Sequence, residues 1–171
     1  MNVWTRINWC ITLSLLGQAF YSQQAWAQEN DSAELVAIIH AIAKGWEEAD
    51  GTPLREHFLD FEGARYIESG GQNVGLNDLV EHHVEPEGDS LDSLELTFSK
   101  IETHIEGDFA WAVANTEVKA VVKKDKREIH YRGYETFLYR RVHGEWKVVH
   151  THSSSRPVAD EASHEHSEPH D

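Results

Sequence analysis

The chain has 171 residues, which is enough for one domain and short of the length that two domains usually need. Its formal net charge is −15 at pH 7, so phosphate backbones would be repelled and we expect no nucleic acid partner. The simplest interpretation of this charge is solubility.

The first 27 residues have the features of a secretory signal peptide. Arg6 gives a short basic start, an apolar run over 9–20 follows, and a small-x-small triplet ends at Ala27. The run is shorter than the roughly 20 apolar residues of a transmembrane helix. We expect cleavage after Ala27, a periplasmic or secreted protein, and no stable membrane insertion afterwards; an uncleaved anchor is the alternative. Cys10, the only cysteine, would leave with the leader, so the mature chain would have no disulfide.

The segment after the leader predicts two helices. The first is amphipathic, because an apolar stripe recurs at three- and four-residue spacing. Asp31 or Ser32 is expected to cap its start, and an Asp-Gly pair ends it. Thr52 and the proline after it predict the N-cap and first residue of a short second helix through Phe58. The stripe consists of Leu35, Ile38, Ile39, Ile42 and Trp46.

A hairpin and a third helix are predicted next. Residues 64–69 are typical of a short strand, the Gly-Gly pair at 70–71 of a tight turn, and 72–74 of the partner strand. The sequence GLNDLVEHHVEP then predicts a helix that Pro86 stops. The residues that follow, 87–93, are expected to form a loop.

The next part of the chain predicts four long strands. Short turns near Gly107, Asp125 and Gly144 join them, so consecutive strands should pair as antiparallel hairpins. Three helices before such a meander predict an α+β architecture with helices on one face of a curved sheet. We expect this domain to cover 32–158 and the acidic, His-rich tail 159–171 to be disordered.

Alternation along the strands predicts one face that is both polar and aromatic. It would combine odd positions of the second and third long strands with even positions of the last strand, and Gly133 would mark a bulge that switches the parity. We interpret this face as the wall of a ligand cavity, with a solvent face or a subunit interface as the alternative. Its main members are Trp111, Asn115, Glu117, Tyr131, Glu135, His150 and His152.

Three segments of the chain resemble a known superfamily. They are the helix AIIHAIAKGWEEAD, the strand ARYIES and the ending YRGYETFLYRRVHGEWKVVHTHSS. Together they are similar to the nuclear transport factor 2-like superfamily, and most of all to SnoaL-like proteins and the association domain of calcium/calmodulin-dependent kinase II. The resemblance implies a cone-shaped α+β barrel, with three N-terminal helices packed on a curved antiparallel sheet and a pocket between them.

The resemblance also implies a class of function. Members of the superfamily often bind small apolar or carboxylate ligands and often dimerise through the outer sheet face. We therefore predict an exported protein that binds a small hydrophobic or amphipathic molecule, needs no cofactor and forms a homodimer. The arginines that line the kinase association domain are matched here by Glu117 and Phe137, so the preference for anions does not carry over. The predicted ligand-binding residues are Trp46, Tyr66, Trp111, Asn115, Tyr131 and His150.

An isomerase or cyclase-type enzyme is the alternative function. Burial of Glu117 or Glu135 would raise the pKa of its carboxyl, which could then act as a general base. Tyr66 or Tyr131 could donate to a developing enolate oxygen, as the oxyanion hole of the ketosteroid isomerases does. His152 could relay a proton, because imidazole titrates near neutral pH.

Metal binding is the third hypothesis, and it involves two separate places. His150 and His152 would present two imidazoles on one strand face, with Glu117 or Glu135 completing a site. The tail could hold a divalent metal weakly, although a solvated tail without metal is the simpler interpretation. Its candidate ligands are His164, His166 and His170.

Overall fold

The computed structural model describes residues 8–159, with side chains from 28 onward. The predicted signal peptide and the tail histidines therefore lie outside the part described at the side-chain level. None of the described helices has the length and apolar character needed to cross a membrane. The helical elements are α1 (Asn8–Glu48), α2 (Thr52–His57), α3 (Leu76–Leu79), a π-helix (Val80–Val84) and α4 (Glu85–Ser90). The strands are β1 (Arg65–Glu68), β2 (Gly71–Val74), β3 (Leu91–Glu106), β4 (Phe109–Val122), β5 (Glu128–Val142) and β6 (Glu145–Pro157).

Helix α1 buries the predicted apolar stripe against the sheet. Leu35 and Ile39 are fully buried, and Ile38 and Ile42 are at most 3% exposed. The expected start of the helix is wrong, because the helix already contains Asp31 and Ser32. These two side chains form hydrogen bonds to the sheet instead of capping the helix.

Polar contacts of Asp31 and Ser32 join α1 to the sheet. An Asp31 oxygen lies 2.5 Å from Nη2 of Arg141, and its other oxygen accepts from Nε1 of Trp146 at 3.3 Å. The Arg141 guanidinium also stacks 4.3 Å above the Trp146 ring. The Ser32 hydroxyl lies 2.6 Å from that of Thr103. The residues expected to cap the helix therefore bind the sheet instead.

The six strands form one open sheet in the order β2-β1-β6-β5-β4-β3. Every neighbouring pair is antiparallel except β1 and β6, which are parallel. The predicted hairpin of β1 and β2 and the meander from β3 to β6 are confirmed. Because α1 and the shorter helices pack on one face, the α+β class is confirmed as well.

The third predicted helix differs from the expectation. It continues past Pro86, passing from α3 through the π-helix into α4, and ends at Ser90. Pro86 lies in the first turn of α4, where a helix can accept a residue without a backbone N–H. The segment expected to be a loop is thus mostly helical, and the strand after it begins at Leu91.

Candidate functional site

A bulge in β6 decides which side chains of this strand face the helices. The pairing with β5 runs from Val142↔Glu145 to Tyr139↔Val148 and then shifts, so that Leu138 pairs with His150. One extra residue in the strand reverses the alternation beyond it. Trp146 and Val148 face inward before the bulge. After it, the inward residues are Thr151, Ser153 and Ser155.

His150 and His152 therefore lie on the outer face of the sheet. The expectation that they share a face with Trp146 is wrong. Nδ1 of His150 lies 2.7 Å from the carbonyl oxygen of Arg65, and His152 is exposed opposite Thr136. Among the described residues, no three histidine, cysteine or carboxylate side chains are grouped to hold a metal. The predicted core metal site is not formed there.

Gly133 does not switch the parity of β5. The pairing between β4 and β5 is continuous from end to end, with Thr116 opposite Gly133 and Ala114 opposite Glu135. Tyr131 and Glu135 consequently lie on the same face as the small even residues of β4. Asn115 and Glu117, which were expected to accompany them, point to the other side of the sheet.

Glu117 is held in a polar network on the outer face. Nε2 of His130 lies 2.6 Å from Oε1 of Glu117, and Nη2 of Arg132 donates to the same oxygen at 3.0 Å. These two hydrogen bonds hold the pKa of the Glu117 carboxyl below its ordinary value. A carboxylate stabilised in this way is a poor proton acceptor, so the expectation of Glu117 as a cavity base is wrong.

Trp111 and Asn115 do not line the cavity either. The Trp111 ring stacks on His104 with the centroids 4.9 Å apart, and Asn115 pairs with Tyr134 on the outer side. Both positions are odd residues of β4, whose even residues Ala112 and Ala114 are fully buried. The predicted alternation along β4 is confirmed, but the prediction placed its odd residues at the cavity, whereas its even residues face the helices.

A cavity of about 710 Å³ lies between the inner face of the sheet and the helices. Such a volume is within the range of small-molecule sites in proteins. Of the predicted site residues, Trp46, Tyr66, Tyr131 and Glu135 line it. The other polar or titratable side chains in its wall are Glu68, Ser69, Asn73, His83, Glu87, Ser90, Thr116, Thr151, Ser153 and Ser155.

Glu135 is the most perturbed carboxyl group of the cavity. Burial, and secondly the nearby Glu68, raise the pKa of this group from 4.5 to about 8. The described residues form no hydrogen bond or ion pair that offsets this burial. Glu135 therefore carries a proton near neutral pH and can give it up or exchange it at modest cost.

The hydroxyl of Tyr66 has no hydrogen-bond partner among the described residues. The residue is 2% exposed and packs edge to face against Phe58, with the ring centroids 5.0 Å apart. Burial raises the pKa of the hydroxyl to about 12, so it stays protonated. An unpaired buried hydroxyl costs about 1–3 kcal/mol of folding stability.

His83 is held in position at the same cavity. Its Nδ1 lies 2.9 Å from Oδ1 of Asn73, its Nε2 lies 3.4 Å from Oε2 of Glu68, and its ring meets the edge of Trp46 at 4.9 Å. Because the Asn73 oxygen can only accept, Nδ1 of His83 carries the proton there. Burial raises the pKa of the neighbouring Glu87.

This geometry can be compared with known proteins. A family model described as a SnoaL-like domain matches residues 35–159. This chain belongs to the SnoaL-like domain family. No curated protein matches the sequence. The predicted membership in the nuclear transport factor 2-like superfamily is confirmed by the family match together with the solved structures described next.

Three solved structures show how widely this SnoaL-like fold is shared. A nuclear transport factor 2-like superfamily protein from Salmonella enterica serovar Typhimurium is 20% identical, with a TM-score of 0.70 over 82% of this chain and 99% of that one. A protein provisionally described as a scytalone dehydratase from Novosphingobium aromaticivorans is 11% identical, with a TM-score of 0.68 over 75% and 86%. A type 2 hexachlorocyclohexane dehydrochlorinase is 14% identical, with a TM-score of 0.65 over 77% and 91%. At these identities the likeness shows the fold alone.

Two cavity residues of the SnoaL-like domain were missed from the sequence. His83 and Glu87 continue the three- and four-residue spacing of the buried Leu76 and Leu79, so the helical period placed both on the buried side. Glu87 lies beyond Pro86, where the sequence predicts a loop, and the adjacent pair His82 and His83 does not show by itself which ring faces inward. Glu68, at the end of β1, was missed because no pattern within the short strand distinguishes it.

Proposed function

We propose that this protein binds a small, largely apolar molecule that carries one polar group, in the cavity between the helices and the sheet. One observation carries the proposal: the desolvated Glu135 lines a cavity of about 710 Å³ between the helices and the sheet, together with aromatic side chains such as Tyr66. The wall also carries apolar side chains, with Ile42, Trp46 and Phe58 on the helical side. Apolar walls with a few polar groups are typical of ligand sites.

Binding of Nile red, a neutral apolar dye, tests this proposal. Ala120→Phe would fill the cavity from β4, because Ala120 is buried and lines it. Val121→Phe is the matched control, since the next residue along β4 faces outward. We expect Ala120→Phe to weaken dye binding by about tenfold or more, which corresponds to about 1.4 kcal/mol, and Val121→Phe to leave it unchanged. Equal binding by both folded variants, or no binding by the wild type, would refute the proposal.

A second candidate function is acid–base catalysis, in which Glu135 takes a proton from the bound molecule. The observation that favours it is the pKa of Glu135, which lies near the working pH of an efficient proton acceptor. His83 lines the same cavity, where it could relay a proton or donate to an oxygen that gains charge. Two structural neighbours are named for eliminations, a dehydratase and a dehydrochlorinase, which agrees with this class of chemistry.

Isotope exchange would test the catalytic candidate. A molecule found bound to the purified protein by native mass spectrometry would be incubated with it in D₂O, and deuterium at its acidic C–H would be followed by NMR. We expect Glu135→Gln to slow the exchange by about 10²-fold or more and Glu117→Gln to leave it unchanged. Exchange that is equally fast in Glu135→Gln would exclude Glu135 as the base.

The expected export stands as a separate proposal. The basis is the sequence of the first 27 residues, whose side chains the structure does not describe. Expression of the full chain in a bacterial host, followed by mass spectrometry of the periplasmic fraction, would detect a protein that begins at Gln28. A full-length chain retained in the membrane fraction would favour the uncleaved anchor instead.

A further inference from the structure

The titratable groups around the cavity are almost all acidic. Glu68, Glu87 and Glu135 line it together with a single imidazole, that of His83. Among the described residues, no lysine or arginine contributes to its wall. The basic residues nearby are engaged elsewhere, as when Arg132 binds Glu117 on the outer face. A cavity lined by three glutamates and one histidine, without lysine or arginine, disfavours carboxylate and phosphate ligands and favours cations.

Two of these carboxyl groups lie in one row across the sheet. Glu68 of β1 pairs with Ser153 of β6, and Ser153 pairs in turn with Glu135 of β5. Since neighbouring strands are about 4.8 Å apart, the two glutamates flank β6 at a spacing of about 10 Å. A single positive group above Ser153 could contact both carboxyls, with the serine hydroxyl beneath it.

Tyr66 belongs to the same wall of the cavity. Tyr66 pairs with Thr151, one pleat along from the row of Glu68 and Ser153, and it is 2% exposed. The rings of Trp46 and Tyr131 add faces that attract cations.

We propose that the polar group of the ligand is an organic ammonium, bound between Glu68 and Glu135 above Ser153 with its apolar part against Trp46 and Phe58. This inference rests on the proposed function, because it names the class of molecule that the cavity takes. It predicts that an amine is preferred over an alcohol or a carboxylic acid on the same apolar frame.

Binding of an ammonium ion would ionise Glu135 and release its proton. Near neutral pH the group is protonated, because burial raises its pKa to about 8. The titratable groups that face it are Glu68 and Tyr66 on β1, His83 in the π-helix, Glu87 in α4, and Tyr131 and Tyr139 on its own strand. Below about pH 8, amine affinity should therefore rise about tenfold for each pH unit and then level off.

Three matched probes test the proposal: 2-naphthylmethylamine, 2-naphthalenemethanol and 2-naphthoic acid. Calorimetry at about pH 7 should show the amine binding about tenfold or more tightly than the alcohol, with proton release, because hydrogen bonds between charged groups are stronger than neutral ones. The acid should bind most weakly, because its carboxylate would be repelled by the glutamates. Glu135→Gln should weaken amine binding about tenfold and remove the proton release. Glu117→Gln, on the outer face, should behave as the wild type.

The outcomes separate this inference from the proposed function. If the alcohol or the acid binds as tightly as the amine, or if none of the three binds, the ammonium inference is overturned. The Nile red result still decides whether the cavity binds apolar molecules at all. If Ala120→Phe also fails to affect Nile red binding, the binding function itself fails and the ammonium inference fails with it.

Discussion

At the scale of the residue, Glu135 shows how position rather than type determines chemistry. Glu117 and Glu135 are both glutamates in the middle of neighbouring strands, and the sequence predicted the same role for each. Hydrogen bonds from His130 and Arg132 lower the pKa of Glu117, whereas burial raises that of Glu135. The two faces of one sheet therefore give the same side chain opposite proton affinities.

Glu135 should make the stability of the protein depend on pH. The pKa of Glu135 is about 8 in the folded state and ordinary in the unfolded state. The contribution of this group to stability is therefore greatest below about pH 4.5, and it is lost as the pH rises from there through 8. Glu135→Gln removes this loss. In urea denaturation from pH 5 to 9, the free energy of unfolding of the variant should rise relative to that of the wild type, by a few kcal/mol at about pH 9.

Glu117→Gln is the control for this series. Its carboxyl has a lowered pKa, so the folded state favours the ionised form at all pH values of the series and the variant should gain nothing at high pH. If the Glu135→Gln and wild-type stabilities stay parallel from pH 5 to 9, the carboxyl of Glu135 is not desolvated in the folded state.

At the scale of the element, the strands were predictable but the face of their side chains was not. The turn residues identified every hairpin, and the helical period identified the buried stripe of α1. The bulge in β6 left no comparable signal, because Val148 and Val149 are adjacent and identical, and alternation cannot show which of them is the extra residue. The extra residue of the bulge turns the side chains of His150 and His152 outward and those of Thr151 and Ser153 inward.

Gly133 has a role in β5 that differs from the predicted bulge. A Cβ at this position would lie 1.8 Å from the carbonyl oxygen of Ser154 and 2.8 Å from Cα of Ser155. These are backbone atoms of β6, which cannot move aside without breaking the strand pairing. The glycine therefore permits the close approach of β6 to β5 beside Glu135.

Gly133→Ala should destabilise the fold. We expect a loss of about 3 kcal/mol in the free energy of unfolding, because the new methyl group overlaps the neighbouring backbone. Gly70→Ala is the matched control, since no atom lies within 4 Å of its added Cβ, and its effect should stay within about 0.5 kcal/mol. Urea denaturation of both variants gives the comparison; equal stabilities would show that β6 can shift away from β5.

At the scale of the whole molecule, the sequence was sufficient for the fold and for the family. The order of helices and strands, together with the ending around Trp146, led to the SnoaL-like assignment that the family match confirms. The cavity composition depends on contacts between distant elements, such as His83 with Asn73 and Glu68. No local pattern encodes such contacts, which is why only part of the wall was predicted.

The homodimer expected from the resemblance stays a prediction, and the outer sheet face is where we propose it forms. Val113 and Tyr134 on this face are 37% and 60% exposed. Val113→Glu should convert the dimer to a monomer, because it would bury a charge in the interface. Light scattering after size exclusion gives the mass, with Val74→Glu on β2 as the control. A monomeric wild type would contradict the prediction, as would a dimeric Val113→Glu variant.

The parallel pairing of β1 with β6 has a consequence for the order of folding. Arg65 and His150 are 85 positions apart and lie side by side in the sheet, so β1 has no place beside the meander until the last strand is in position. The meander is built from hairpins whose ends meet early, whereas this contact closes a long loop and is expected late. Because β1 carries Tyr66 and Glu68, the cavity wall would be completed only after β6 has been made and has joined the sheet. A truncated or still-growing chain would then have a sheet but no finished cavity.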